Sequence, residues 1–307
     1  MSNSIYSSKI LLFGEYSIVI NSYGFAIPHF SYKGSLKLNA GNKDRDSQKK
    51  ILEFIEYLKK KVKNLPDFDW ISINKDKKNN LFFESNIPQG YGLGSSGALV
   101  AAFYNRYVKN KIPTEGKFTK NKLQKLKNIF SEMESYFHGE SSGIDPLNCY
   151  LGLPILIKSQ NEIQITKMPE EKGLGYGGIF ILDSGNSSNT SSMVSLFFSK
   201  MEDENFNFMM KNEFIKYSKI CINEFLKGNI NSLFKSIKIL SEITLNNFQP
   251  MIPKKFIKLW DEGIRTNDYF FKLCGSGGGG FLLGFTLNIE NTFRTLDDYN
   301  KEIIYKF

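Results

Sequence analysis

The chain has 307 residues, enough to bury one large core or two moderate ones, and its 41% hydrophobic content is that of an ordinary globular protein. No apolar run approaches the roughly 20 residues of a membrane span. The short N-terminal patch KILLFG meets Glu15 too soon for a secretory signal, so a cytoplasmic location is expected. The net charge of +9 rests on 40 basic residues, of which only Arg45, Arg106, Arg265 and Arg294 are arginine. Readers of nucleic acid favour the arginine fork, so this charge reads as lysine-rich solvated faces, with neither nucleic acid nor membrane expected as a partner.

In chain order, short apolar runs at 10–13, 17–20, 36–39, 70–73 and 81–83 predict strands. A helical period from Ser47 to Val62 places Ile51, Leu52, Ile55 and Leu58 on one face. The strand NLFFES leads into a glycine-rich stretch, and GALVAAFYNRYV after it reads as a buried helix. A second helix is expected over 118–137, then HGESSGIDPLNCYLG as a loop by composition, then strands at 153–158, 161–166 and 178–183. From Thr190 to Gly263 the pattern is mostly helical. KLCGSGGGGFLLGF then reads as strand, glycine run and strand, and EIIYKF as a final strand. The expected class is α+β in two lobes, 1–165 and 166–307.

Cys149, Cys221 and Cys274 are odd in number and far apart, fitting neither a disulfide framework nor a C-x-x-C metal site, so all three are expected as reduced thiols. His29 and His138 are too few for a histidine-rich metal site and read as structural.

Three loops carry chemistry. In PQGYGLGSSG, residues 88–97, Gly92, Gly94 and Gly97 spell G-x-G-x-x-G. The dinucleotide fingerprint also needs a strand running directly into the first glycine and an acidic residue about 20 positions later, after a second strand; neither is present. The G-K-[ST] of a Walker A loop is missing too. The chemistry still suits phosphate. Gly90, Gly92 and Gly94 let the backbone turn its N–H groups toward an anion. Ser95 and Ser96 stand where a helix begins, with Leu93 between the glycines. A capped turn is the plainer alternative.

In HGESSGIDP, Asp145 is held between Gly143 and Pro146, where a carboxylate can orient a hydroxyl or simply form an Asx turn. Glu134, on the preceding helix about eleven positions back, could reach the same cavity, although an isolated glutamate on a helix more often faces solvent. In KLCGSGGGGF, consecutive glycines 277 to 280 make sense where backbone packs closely on a ligand or another loop.

Taken together, KILLFGEYSIVINSYGFAIP, PQGYGLGSSGA, HGESSGIDP and KLCGSGGGGF resemble, in order and spacing, the GHMP kinases, the small-molecule kinases for galactose, homoserine, mevalonate and phosphomevalonate. Within that family the chain looks most like the mevalonate kinases. The resemblance implies a ribosomal-S5-like N-terminal lobe, a ferredoxin-like C-terminal lobe and an active site between them. It also implies ATP with Mg²⁺, transfer to the C5 hydroxyl of (R)-mevalonate, and a homodimer as one compatible assembly.

By the same resemblance Lys9 and Asp145 are catalytic, and the run from Gly90 through Gly92, Leu93, Gly94, Ser95 and Ser96 holds the phosphates. Ser96 and Glu134 are metal ligands. Glu15, Tyr16, Thr190, Gly277 and Gly278 lie near the substrate. The departures are Tyr6-Ser7-Ser8 for the usual Ala-Pro-Gly, Tyr16 for histidine and Gly97 for alanine. GEY and GSSG resemble the phosphomevalonate kinases, whereas GGGG in place of GGGD argues against them. A catalytically silent ligand sensor is a rival from another class, but it would have lost the lysine, the aspartate or the metal ligands.

Overall fold

The structure, a computed structural model, describes residues 4–39, 44–61, 65–170 and 175–307. β1 (Tyr6–Phe13) is buried at every position and pairs with the long β2 (Gly24–Lys37). β2 also pairs with β3 (Phe82–Ser85) and β4 (Ile155–Ser159), and β4 pairs with β5 (Glu162–Ile165), giving a five-stranded antiparallel sheet. α1 (Arg45–Lys60), α2 (Trp70–Lys78), α3 (Ser95–Tyr107), α4 (Lys120–His138) and α5 (Ile144–Leu151) accompany this sheet. α3 is buried almost all round. Its small residues Gly97, Ala98, Ala101 and Ala102 let it contact β1, β2, α4 and α5 together.

The second sheet is also antiparallel, in the order β7–β8–β6–β9, with β6 (Gly178–Asp183), β7 (Tyr269–Leu273), β8 (Phe281–Thr286) and β9 (Lys301–Lys306). Its helices are α6 (Thr190–Met201), α7 (Glu204–Met209), α8 (Ile215–Leu226), α9 (Ile230–Asn247), α10 (Ile257–Thr266) and α11 (Ile289–Thr295). The two sheets share one core. Phe13 at the end of β1 packs its ring 5.6 Å from that of Phe285 in β8 and 6.2 Å from that of Phe225 in α8. The α+β class, with two antiparallel sheets, is as expected. Among the described residues no helix is long and apolar enough to cross a membrane.

Four local expectations change. Residues 17–20 are not a strand but part of a turn, because Gly14 (φ +104°) brings the chain against Gly24 so closely that a Cβ there would lie 2.4 Å from its Cα. Residues 70–73 open α2: Asp69 caps it by accepting from the Ser72 amide, and Ile71 is exposed while Ile73 is buried, a helical alternation in a short apolar run. The expected loop at 138–152 contains α5. Pro146 sits in the first turn, where a missing N–H costs nothing, and Ile144, Leu147, Tyr150 and Leu151 then bury one side. In α1 the buried face is Ile51, Phe54, Ile55 and Leu58, with Leu52 exposed; the expected end at Val62 lies outside the described residues.

Candidate functional site

β1 and α5 bring Lys9 and Asp145 together, with Lys9 Nζ 3.0 Å from Asp145 Oδ2. The lysine side chain is 5% exposed and the aspartate 34%, so the pair has one buried and one open member. Burial opposes the charge on Lys9, but the adjoining carboxylate outweighs it and holds the ammonium pKa above the ordinary lysine value.

Gly94 lies directly against this pair. A Cβ there would meet the Lys9 side chain at 3.0 Å and Asp145 Oδ2 at 3.5 Å, and its φ of +73° is the left-handed conformation that glycine adopts at little cost. Gly94 also caps α3, so the free amides of that helix's first turn open beside the pair, a natural seat for an anion. Leu93 anchors the run: its side chain is in the core and its carbonyl accepts the Lys9 amide at 3.0 Å. Gly97, one turn on, packs against the start of α5, where a Cβ would lie 2.8 Å from both the Asp145 carbonyl carbon and the Pro146 nitrogen.

α4 supplies the next two groups. Glu134 and His138 stand four residues apart, on one helix face, and both reach Ser96. The Ser96 hydroxyl donates to Glu134 Oε1 at 2.9 Å and lies 3.0 Å from His138 Nε2. The Ser141 hydroxyl donates to the other carboxylate oxygen, and itself accepts the Gly143 amide. Burial, with Asp145 adding like charge, pushes the Glu134 carboxyl up to about 7, against the two serine hydrogen bonds that favour its charged form. Burial likewise lowers the His138 imidazole.

The second glycine run closes on the first. Gly275 and the Cys274 carbonyl abut Gly92, and Gly280 abuts Gly90 and Tyr91, at distances that leave no room for a Cβ at Gly92 or Gly280. Ser188 joins them, its amide donating to the Gly90 carbonyl at 3.0 Å. Gly277 packs on Met251, and Gly278 on Met193 of α6.

Lys9, Gly94, Ser96, Glu134 and Asp145 therefore lie together in one cluster. Gly90, Gly92, Leu93 and Ser95 lie on the same loop and helix start, with the 275–280 run against them. Glu15 and Tyr16 differ: both side chains are buried and engaged within the protein, Glu15 with Lys272 and Tyr16 with Ser276. Thr190 is exposed at the start of α6, two residues from Ser188. His138, read from sequence as structural, belongs to the Ser96–Glu134 cluster. Its signal was the four-residue spacing from Glu134. Ser141 was not anticipated either. Among the described residues no group of three or more His, Cys, Asp or Glu could hold a metal unaided.

Residues 49–153 match the family model described as the GHMP kinases N terminal domain. No curated protein matches the chain. Among solved structures it is similar to L. major mevalonate kinase in complex with R-mevalonate (16% identity, 97% of this chain and 90% of that one, TM-score 0.64). It is also similar to Streptococcus pneumoniae phosphomevalonate kinase in complex with phosphomevalonate and AMPPNP (13%, 99% and 100%, 0.65). Lactococcus lactis galactokinase complexed with galactose is a third (14%, 98% and 92%, 0.63). At these identities the likeness is one of fold.

Proposed function

We propose that this chain, a member of the GHMP kinase superfamily with the fold of that family, transfers the terminal phosphoryl group of ATP to a small-molecule alcohol, and that the alcohol is the C5 hydroxyl of (R)-mevalonate. The observation that carries the reading is the Lys9–Asp145 pair, set against Gly94 at the start of α3 and beside the Ser96–Glu134 cluster.

Phosphoryl transfer asks the protein mainly for positioning and electrostatics. The amides at the start of α3 face the phosphates, and the glycines at 90, 92 and 94 let them approach. Asp145 orients the acceptor hydroxyl and takes up its proton as the oxygen bonds to phosphorus and the bond to the ADP oxygen breaks. Lys9 holds that carboxylate in place through their ion pair, and its charge favours the migrating phosphoryl group.

Ser96 and Glu134 offer only oxygen ligands, one of them a buried carboxylate that burial leaves short of compensating charge. That donor set fits a hard divalent cation, which when bound with ATP would neutralise phosphate charge. Because two protein oxygens are too few for such an ion, the nucleotide's own phosphates would complete its shell.

Mevalonate is favoured over phosphomevalonate by the disposition of arginine. The phosphate already on that acceptor calls for added cationic contacts, and none of the four arginines lies in the loops of the site: Arg45 opens α1, Arg106 pairs with Asp76, Arg265 stands in the last turn of α10 and Arg294 pairs with Glu290. The test is a coupled ADP-release assay across mevalonate, phosphomevalonate, homoserine and galactose. The expected result is the highest kcat/KM for mevalonate. A clearly higher value for another acceptor overturns the substrate assignment, and no ADP release with any acceptor overturns the kinase reading.

A further inference from the structure

Glu15 and Tyr16 sit where family resemblance places acceptor contacts, yet their side chains point to a different task. Tyr16 has φ +61°, a left-handed conformation that is rare for a bulky residue and persists only where its surroundings impose it. The surroundings do. Its ring stacks on Phe197 of α6, centroids 4.5 Å apart, and on Phe248, 5.7 Å away. Its hydroxyl donates to the Ser276 carbonyl at 2.5 Å. A phenol has one proton to donate, and this one is spent inside the protein.

The preceding residue makes a parallel tie. Glu15 Oε2 lies 2.7 Å from Lys272 Nζ, with the side chains 1% and 0% exposed. Lys272 also donates to the Leu273 carbonyl, while among the described residues neither Glu15 oxygen makes a hydrogen bond, the contact of Oε2 with Lys272 being an ion pair. A buried pair left partly unsatisfied is a poor device for stability alone, and its better-attested use is to fix register. Both ties run from the turn after β1 to the end of β7 and the glycine run that follows it. Other bonds of that run come from within the second lobe: Gly278 N–H to the Met251 carbonyl and Gly280 N–H to the Asn186 carbonyl, each 2.6 Å, and Ser184 N–H to the Gly280 carbonyl at 2.9 Å.

We propose that Glu15 and Tyr16 are positioning residues, an inter-lobe latch that sets residues 275–280 over the first glycine loop and the Lys9–Asp145 pair, and that they do not contact the acceptor. The consequence for activity rests on the kinase reading; the latch itself does not. The Tyr16 side chain crosses to the Ser276 carbonyl and leaves recognition of the acceptor to other groups.

The test is Tyr16→Phe, which keeps both ring stacks and removes the one hydroxyl bond. Hydrogen–deuterium exchange is followed by mass spectrometry on the full chain without ligand, alongside steady-state kinetics with ATP and the best acceptor. Exchange at 275–280 should quicken by about two- to tenfold, the weight of one net hydrogen bond. Exchange in β7 and β8 should stay unchanged, kcat should fall, and the acceptor KM should stay within about twofold. Unchanged exchange at 275–280 overturns the latch, as does a rise spread evenly over β7 and β8. An acceptor KM raised with exchange unaltered returns Tyr16 to the acceptor site. The exchange experiment needs neither nucleotide nor acceptor, so its outcome stands even if no acceptor is found.

Discussion

Lys9 and Asp145 form an ion pair in which the ammonium is buried and the carboxylate, beside Gly94, is partly exposed. Asp145→Asn removes the negative charge and proton acceptor while asparagine can keep the turn. The expected fall in kcat is about 10²–10⁴, or roughly 3–5 kcal/mol of transition-state stabilisation. The melting temperature should fall as well, because Lys9 is left buried without its partner. Adding Lys9→Met should restore melting but not turnover. Measured kcat beside the unfolding midpoint decides it, and a folded Asp145→Asn enzyme within about threefold of wild-type kcat removes Asp145 from the mechanism.

Glu134 makes a prediction about pH. Its carboxyl titrates near 4.5 when unfolded and about 7 when folded, so between those values the native state holds the extra proton. Stability should therefore decline as pH rises from 4.5 to 7, by roughly 3 kcal/mol if the whole shift is expressed. Glu134→Gln should flatten that decline and melt higher than wild type in EDTA at pH 8, even as turnover is lost. Mg²⁺ with a non-hydrolysable ATP analogue should raise the wild-type midpoint more at pH 8 than at pH 6. A Glu134→Gln protein that melts lower than wild type at pH 8 would contradict the burial cost.

Gly97→Ala adds one methyl group where α3 meets the start of α5, 2.8 Å from the Asp145 carbonyl carbon. Overpacking of this kind costs about 1–3 kcal/mol. Since the displaced residue is Asp145, kcat should drop together with the melting temperature. An unaltered midpoint and kcat would mean that α5 has slack here, and would leave the family's usual alanine interchangeable with glycine in this chain.

The thiols should be silent. Cys149, Cys221 and Cys274 are all buried, and burial raises each pKa, that of Cys274 to about 11. Ellman's reagent should find almost no reactive thiol in the native protein and three after unfolding in guanidinium. Rapid stoichiometric labelling of the native chain would show that one of these sites opens.

Much of this was legible in the sequence because the motifs carry their own geometry. Glycines that must meet other backbone cannot hide, and the order of the loops carried the fold. Short apolar runs failed where a neighbour decided the conformation. Residues 17–20 turn because Gly14 abuts Gly24, and 70–73 are helical because Asp69 caps them, neither of which an apolar count detects. His138 escaped because one histidine on a helix usually serves the core. The four-residue spacing from Glu134 was the one hint, and the distance to Ser96 reveals its company. Tyr16 was matched by position alone, and its contacts lie far along the chain, at Phe248 and Ser276.

The contrast between α3 and α6 has an evolutionary consequence. α3, whose first turn would face the phosphates, is locked into the core along most of its length, whereas α6, which lies over Gly278, buries Phe197 fully and leaves most of its other positions partly or wholly exposed. Substitutions in α3 run against packing from several sides at once, while many in α6 cost little stability. Under the proposed reading, a descendant of this chain could exchange one alcohol for another by drift in α6 and keep its phosphate donor throughout.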